Sequence, residues 1–182
     1  MELEGTKILI LVQNEHEDSE LQYPKFRLQE AGAKIVLAGP KAGEIYHGKH
    51  GVPCKTDISF QDVKVEDFDG IVIPGGYAPD KLRVDKKVLE IVKKFHEKGK
   101  LIAFICHAGW VPISAGILDG VKATSVANIK DDMVNAGVNF VDEAVVQDRH
   151  FISSRTPDDL TKFCPAIINY LQKSKKKQYA LT

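Results

Sequence analysis

Cys106 and His107 close a run of five apolar residues, Leu101 to Ile105, and this placement is the strongest chemical signal in the chain. An uninterrupted apolar run of that length reads as a strand buried on both faces, so it delivers the two reactive side chains to one end of a sheet. Ala108 to Ala115 reads as a helix. Cys106 then occupies a sharp strand-to-helix turn, its sulfur beside exposed backbone amides, which is the geometry of a nucleophile elbow. The partial positive charge of a helix N-terminus favours thiolate over thiol and lowers a cysteine pKa towards neutrality. A buried cysteine also packs well as a small hydrophobe, and the local context alone leaves both roles open.

Open α/β sheets gather ligand sites at the carboxyl ends of their strands. Two more segments with polar or glycine chemistry fall at such ends: Asn14-Glu15-His16-Glu17-Asp18 after the first strand and Pro74-Gly75-Gly76 after the strand Gly70–Ile73. The Gly76 and His107 amides could together stabilise an oxyanion on a carbon attacked by Cys106. The Pro-Gly-Gly sequence is equally compatible with a plain tight turn. Glu17 could contact the sulfur and titrate with it as a coupled pair, or serve only the helix dipole. His107 could act from the side as general acid or base, or only hydrogen bond. His16-Glu17-Asp18-Ser19-Glu20 opens like a zincin helix but lacks the second histidine, and His47, His50 and Cys54 match no zinc spacing. Neither GxGxxG nor a Walker A sequence occurs, so no cofactor and no metal are expected.

The elements that must position these residues alternate. Lys7–Val12, Lys34–Ala38, Gly70–Ile73 and Leu101–Ile105 read as strands; Ser19–Ala31, with Leu21, Phe26 and Leu28 among its apolar positions, and Asp85–Lys98 read as helices. Residues 43–63 read as a hairpin excursion. Beyond the elbow come a short helix over Ile129–Ala136, strands at Ala144–Val146 and Phe151–Ser153, and a final helix opened by Thr156-Pro157-Asp158-Asp159. This order predicts an α/β three-layer sandwich, a mostly parallel sheet with helices on both faces. One domain spans 1–172, and 173–182 reads as a basic, flexible tail.

At 182 residues with 25 basic and 25 acidic side chains, the chain has the size to bury a full core and no global field for nucleic acid or anionic membrane. Three scattered cysteines without a CxxC pair argue for a reducing compartment. No cleavable signal and no run near the ~20 apolar residues of a membrane span is visible, so a cytoplasmic location is expected.

The motifs taken in order are Asn14 to Asp18, Gly48-Lys49-His50-Gly51, Pro74-Gly75-Gly76, Ile105-Cys106-His107, Ile129 to Asp132 with Asn135-Ala136-Gly137, and Ser154-Arg155-Thr156-Pro157-Asp158-Asp159-Leu160. Together they resemble the PfpI intracellular-protease family of the ThiJ/PfpI superfamily over Lys7 to Leu171. The resemblance implies a flavodoxin-like, class I glutamine amidotransferase-like fold, Cys106 as nucleophile and Glu17 as its carboxylate partner. It also implies Asp80 of a neighbouring subunit orienting His107, and hence a homo-oligomer, a dimer or hexamer. Where the family usually reads Gly-Pro after Cys-His, this chain has Ala108-Gly109-Trp110. Trp110 is thereby placed at the pocket rim, with Gly75, Gly76 and the His107 amide as further substrate-binding groups. Members are reported as peptidases or amidases, as cofactor-independent glyoxalases and as deglycases. The expectation is a stress-response enzyme acting on small carbonyls or their adducts through a Cys106 thiolate, with peptidase action on peptide substrates the alternative. A redox-sensing or chaperone-like protein is a further alternative, since such a thiol also suits oxidation.

Overall fold

A computed structural model describes residues 2–179. Seven strands form one sheet in the order β10-β11-β7-β6-β1-β2-β5. The parallel centre comprises β1 (Lys7–Leu11), β2 (Lys34–Gly39), β5 (Ile58–Ser59), β6 (Gly70–Ile73), β7 (Leu101–Ile105) and β11 (Phe151–Ser154). β10 (Val145–Asp148) pairs antiparallel to β11 and forms one edge. Two small sheets lie outside: the β3–β4 hairpin (Ile45–His47, Pro53–Lys55) and β8–β9 (Lys122–Ala123, Asn139–Phe140). Helices α1 (Asp18–Glu30), α2 (Ala78–Leu82), α3 (Lys86–Glu97), α4 (Trp110–Ser114), α5 (Lys130–Asn135) and α6 (Leu160–Tyr179) complete the chain.

The period-2 alternation of buried strands divides the core into two layers. Leu9, Leu11, Ile71, Ile73, Ile102 and Phe104 pack with Val88, Ile91, Val92 and Phe95 of α3. Ile8, Ile10, Val72, Ala103 and Ile105 point the other way, against Leu21 and Leu28 of α1 and Phe163, Ile167 and Leu171 of α6. The expected three-layer α/β sandwich is the observed fold, and β6 and β7 keep the bounds read from the sequence.

Several expectations need correcting. Phe26, assigned to the apolar face of α1, is 59% exposed, because Leu21, Pro24 and Leu28 define the buried stripe. The helix expected over 108–115 is a 3-10 turn at Cys106–Gly109 followed by the single-turn α4, which ends at Gly116 with φ 70°. Residues 173–179 continue α6, and Lys175 Nζ donates to the Glu4 carbonyl at 2.6 Å. The flexible tail therefore does not begin at 173; residues 180–182 lie outside the described residues. Among the described residues no helix is long and apolar enough to cross a membrane.

These burial differences have a direct test. Leu28→Ala should cost about 2–5 kcal/mol in urea unfolding, whereas Phe26→Ala should stay within about 0.5 kcal/mol.

Candidate active site

After β1 the chain turns to β2 on one side of the sheet, and β6 lies on the other. Their carboxyl ends therefore frame a crevice at the switch point, beside the end of β7. A single antiparallel bridge, His16 to Gly76, spans it. The Glu17 N–H donates to the Gly75 carbonyl at 3.0 Å, and the Tyr77 N–H donates to the Glu15 carbonyl at 2.8 Å. Gly76 has φ 78°, and a Cβ there would fall on the backbone of Glu15 and Glu17, so the close crossing of the two loops requires glycine.

Cys106 stands at the end of β7 with φ 63°, a left-handed conformation that turns its side chain out of the strand direction. The sulfur receives the backbone N–H groups of Gly76 and His107, which favour thiolate. His107 Nδ1 lies 3.3 Å from Sγ. The helix-dipole argument does not hold here, because α4 has only five residues; the two N–H groups act in its place but are outweighed by burial, so the expected lowering of the thiol is not found.

The carboxyl group against the thiol is that of Glu20. Its side chain is completely buried, Oε2 accepts the Gly75 N–H at 2.7 Å, and Oε1 has no hydrogen-bond partner among the described residues. A Cβ at Gly75 would sit 2.5 Å from Glu20 Oε2 and 2.7 Å from Cys106 Cβ, so the absence of a side chain at 75 is what lets acid and thiol share one space. Burial raises the Glu20 pKa to about 8, opposed by the Gly75 N–H. Burial and then the Glu20 charge push Cys106 up to about 12. Once Glu20 holds its proton that charge is gone, and its O–H becomes one more donor available to sulfur.

Glu17, expected as this partner, caps α1 one turn earlier and faces elsewhere. Its Oε2 lies 2.6 Å from Lys49 Nζ, its Oε1 3.7 Å from His50 Nε2, and Ser19 Oγ donates to Oε1 at 3.2 Å. Asp18 accepts the His50 and Val52 N–H groups at 2.8 and 2.9 Å, fastening the β3–β4 loop over the crevice. Lys49 comes with that loop, and its charge acts on Cys106, Glu20 and His107. Neither Glu20 nor Lys49 was singled out from the sequence. The available signal for Glu20 was its place on the α1 stripe, four residues before buried Pro24 and eight before Leu28.

Asp80 lies exposed on α2, and its carboxylate takes no hydrogen bond among the described residues. Trp110 packs edge-on to His107. Of the histidine and cysteine set weighed for metal, Cys54 is buried on β4; the one group of carboxylate and histidine ligand atoms close together among the described residues is Glu17, Asp18 and His50, with Lys49 already on Glu17.

A doubly wound parallel sheet with a thiol on an elbow at its switch-point crevice, flanked by a buried acid and a histidine, defines the class. Residues 6–170 match the DJ-1/PfpI family, and the chain belongs to it. It is 45% identical over 166 residues to Deglycase PH1704 of Pyrococcus horikoshii, covering 91% of this chain and 99% of that protein. Identity and coverage are the same with Deglycase PfpI of Pyrococcus furiosus. Among solved structures, Drosophila melanogaster DJ-1beta superposes with a TM-score of 0.87 at 29% identity, covering 96% of this chain and 94% of that one. A two-domain Anabaena variabilis protein, with DJ-1/ThiJ/PfpI-like and ferritin-like domains, gives 0.90 at 39% identity over 91% of this chain and 48% of its own.

A carboxyl that binds its proton more tightly in the fold gives stability that is complete below its unfolded pKa of 4.5 and is lost as pH rises through about 8. Glu20→Gln should remove this loss. Urea unfolding at roughly pH 5 and pH 8.5 should show wild type falling relative to the variant by on the order of a few kcal/mol. An unchanged difference between the two would place the ionised carboxylate in a solvated setting.

Proposed function

We propose that the protein is a Cys106-dependent enzyme acting on small reactive carbonyls or on the adducts they form with amines and thiols, that is, a deglycase or cofactor-independent glyoxalase. The observation that carries this reading is the buried Glu20 carboxyl held beside a thiol that already receives two backbone N–H groups. A carboxyl of pKa about 8 exchanges protons near neutrality, as moving a proton between adjacent carbons requires. The deglycase names of the Pyrococcus relatives support the same choice.

Attack of the Cys106 thiolate on an aldehyde forms the S–C bond while the C=O π pair moves to oxygen. The new alkoxide meets the Gly76 and His107 N–H groups and takes the Glu20 proton, giving a neutral hemithioacetal. Glu20, now carboxylate, removes the hydrogen from the sulfur-bearing carbon and returns it to the neighbouring carbonyl carbon of an α-dicarbonyl substrate, while the hydroxyl proton passes to that carbonyl's oxygen, leaving a thioester. Water cleaves the thioester, freeing a hydroxy acid and the thiolate, and the proton released restores Glu20. The net change is the addition of one water. Lys49 supplies a cation at the same mouth for the carboxylate formed, and Glu17 keeps that ammonium in place. The exposed Asp80 carboxylate is available to reach His107 of a second copy in a homo-oligomer.

The test is turnover of methylglyoxal, and of its fresh adducts with amines, by protein free of contaminating activity. Cys106→Ser should abolish it. Glu20→Gln should lower kcat on the order of 10²-fold or more, and Glu17→Gln much less. Wild-type rates in Cys106→Ser would overturn the proposal. Iodoacetamide mapping should label Cys106 first, because it alone of the three thiols is partly exposed while Cys54 and Cys164 are buried.

A further inference from the structure

Trp110 is the only tryptophan in the chain. Three contacts fix it. Its Nε1–H donates to Asp132 Oδ2 on α5 at 2.8 Å. The Arg83 guanidinium, at the end of α2, lies 5.2 Å over its ring, and Arg83 Nε–H is itself anchored on Ser114 Oγ at 3.0 Å. Its ring meets the His107 imidazole edge-on, centroids 5.2 Å apart and planes inclined at 60°. That is a favourable aromatic arrangement, and two of the three contacts come from helices other than its own.

His107 is far less constrained by polar contacts. Among the described residues it has one side-chain hydrogen-bonding contact, Nδ1 to Cys106 Sγ at 3.3 Å. The terminal torsion of histidine is broad and two-fold, so a single contact to sulfur does not by itself choose which ring nitrogen faces the nucleophile. The indole supplies the missing restraint. Its polar atom is engaged by Asp132 and offers no donor to a substrate, so its contribution at the site is steric and orienting.

We infer that Trp110 is a positioning residue, clamped by Asp132 and Arg83, that holds the His107 ring with Nδ1 on the Cys106 sulfur. The inference rests on Cys106 being the nucleophile, but not on the identity of the substrate. Orientation of His107 is then supplied within one chain, through Trp110 and the Asp132 that holds it. The groups bearing on the ring are Cys106, which Glu20 faces in turn, Lys49 from the β3–β4 loop, and, through Trp110, Arg83 and Asp132. Burial and Lys49 keep the imidazole neutral below its usual range. A neutral ring needs a defined tautomer to exchange a proton with sulfur, and a clamp that excludes the flipped ring preserves it.

Because Trp110 is the sole indole, its emission reads the contact directly. Excited indole transfers an electron to an adjoining imidazolium, so protonating His107 quenches it. Emission scanned from roughly pH 9 down to 4 should fall in one step with a midpoint below 6.5, and the step should vanish in His107→Asn. Asp132→Ala should at least halve the step, lower kcat on the order of tenfold with KM little changed, and slow Cys106 alkylation; Asp132→Asn, which still accepts the indole N–H, should restore all three. Trp110→Phe should keep more activity than Trp110→Ala. A pH scan without a His107-dependent step, or Asp132→Ala with wild-type emission and kcat, overturns the clamp. If no carbonyl is turned over by wild type, the proposed chemistry fails, while emission and alkylation still decide the clamp.

Discussion

A carboxyl group with no access to water, placed against a thiol, is the constraint around which this molecule is arranged. Glu20 is completely buried on α1, with the Gly75 N–H and the Cys106 thiol as its hydrogen-bonding partners. Burying an ionised carboxylate on such terms is costly, so the group keeps its proton towards about pH 8. The position of that proton requires Gly75 to lack a side chain and β6 to stop where it does. It also requires α1 to begin early enough for residue 20 to turn inward. The parallel sheet provides all three by bringing the ends of β1, β6 and β7 together at one switch point.

The fold was legible because it is written in periodicity. Gly70–Ile73 and Leu101–Ile105 are apolar without interruption, and strands buried on both faces leave that trace in any sequence. The elbow was legible for the same reason, since Cys106 follows such a strand directly. The partner acid was not. Glu17 and Glu20 lie three residues apart at a helix start, and which of them faces inward depends on where the first helical turn begins. That boundary is set by Glu17 itself, extended at φ −69° and ψ 116° as the cap of α1. A one-residue ambiguity at a cap rotates every later side chain by about 100°.

Contacts between distant segments left no local trace either. Lys49 reaches the site because Asp18 holds the backbone of His50 and Val52, a link across more than thirty residues. Trp110 finds Asp132 because α5 packs against the turn after the elbow, where Gly109 would place any added Cβ on Met133. The dipole of a long helix behind Cys106 was a reasonable local inference. Tertiary structure replaced it with donors from Gly76 and His107.

The left-handed backbone at Cys106 has a consequence for the chain's evolution. A side chain at φ 63° costs about 1–3 kcal/mol relative to a relaxed conformation, a cost that glycine would not incur. The chain therefore keeps its most reactive atom at a place where losing it would make folding easier. Random drift towards thermal robustness would erase Cys106 before it erased most of the core, and only continued use of the thiol holds it there.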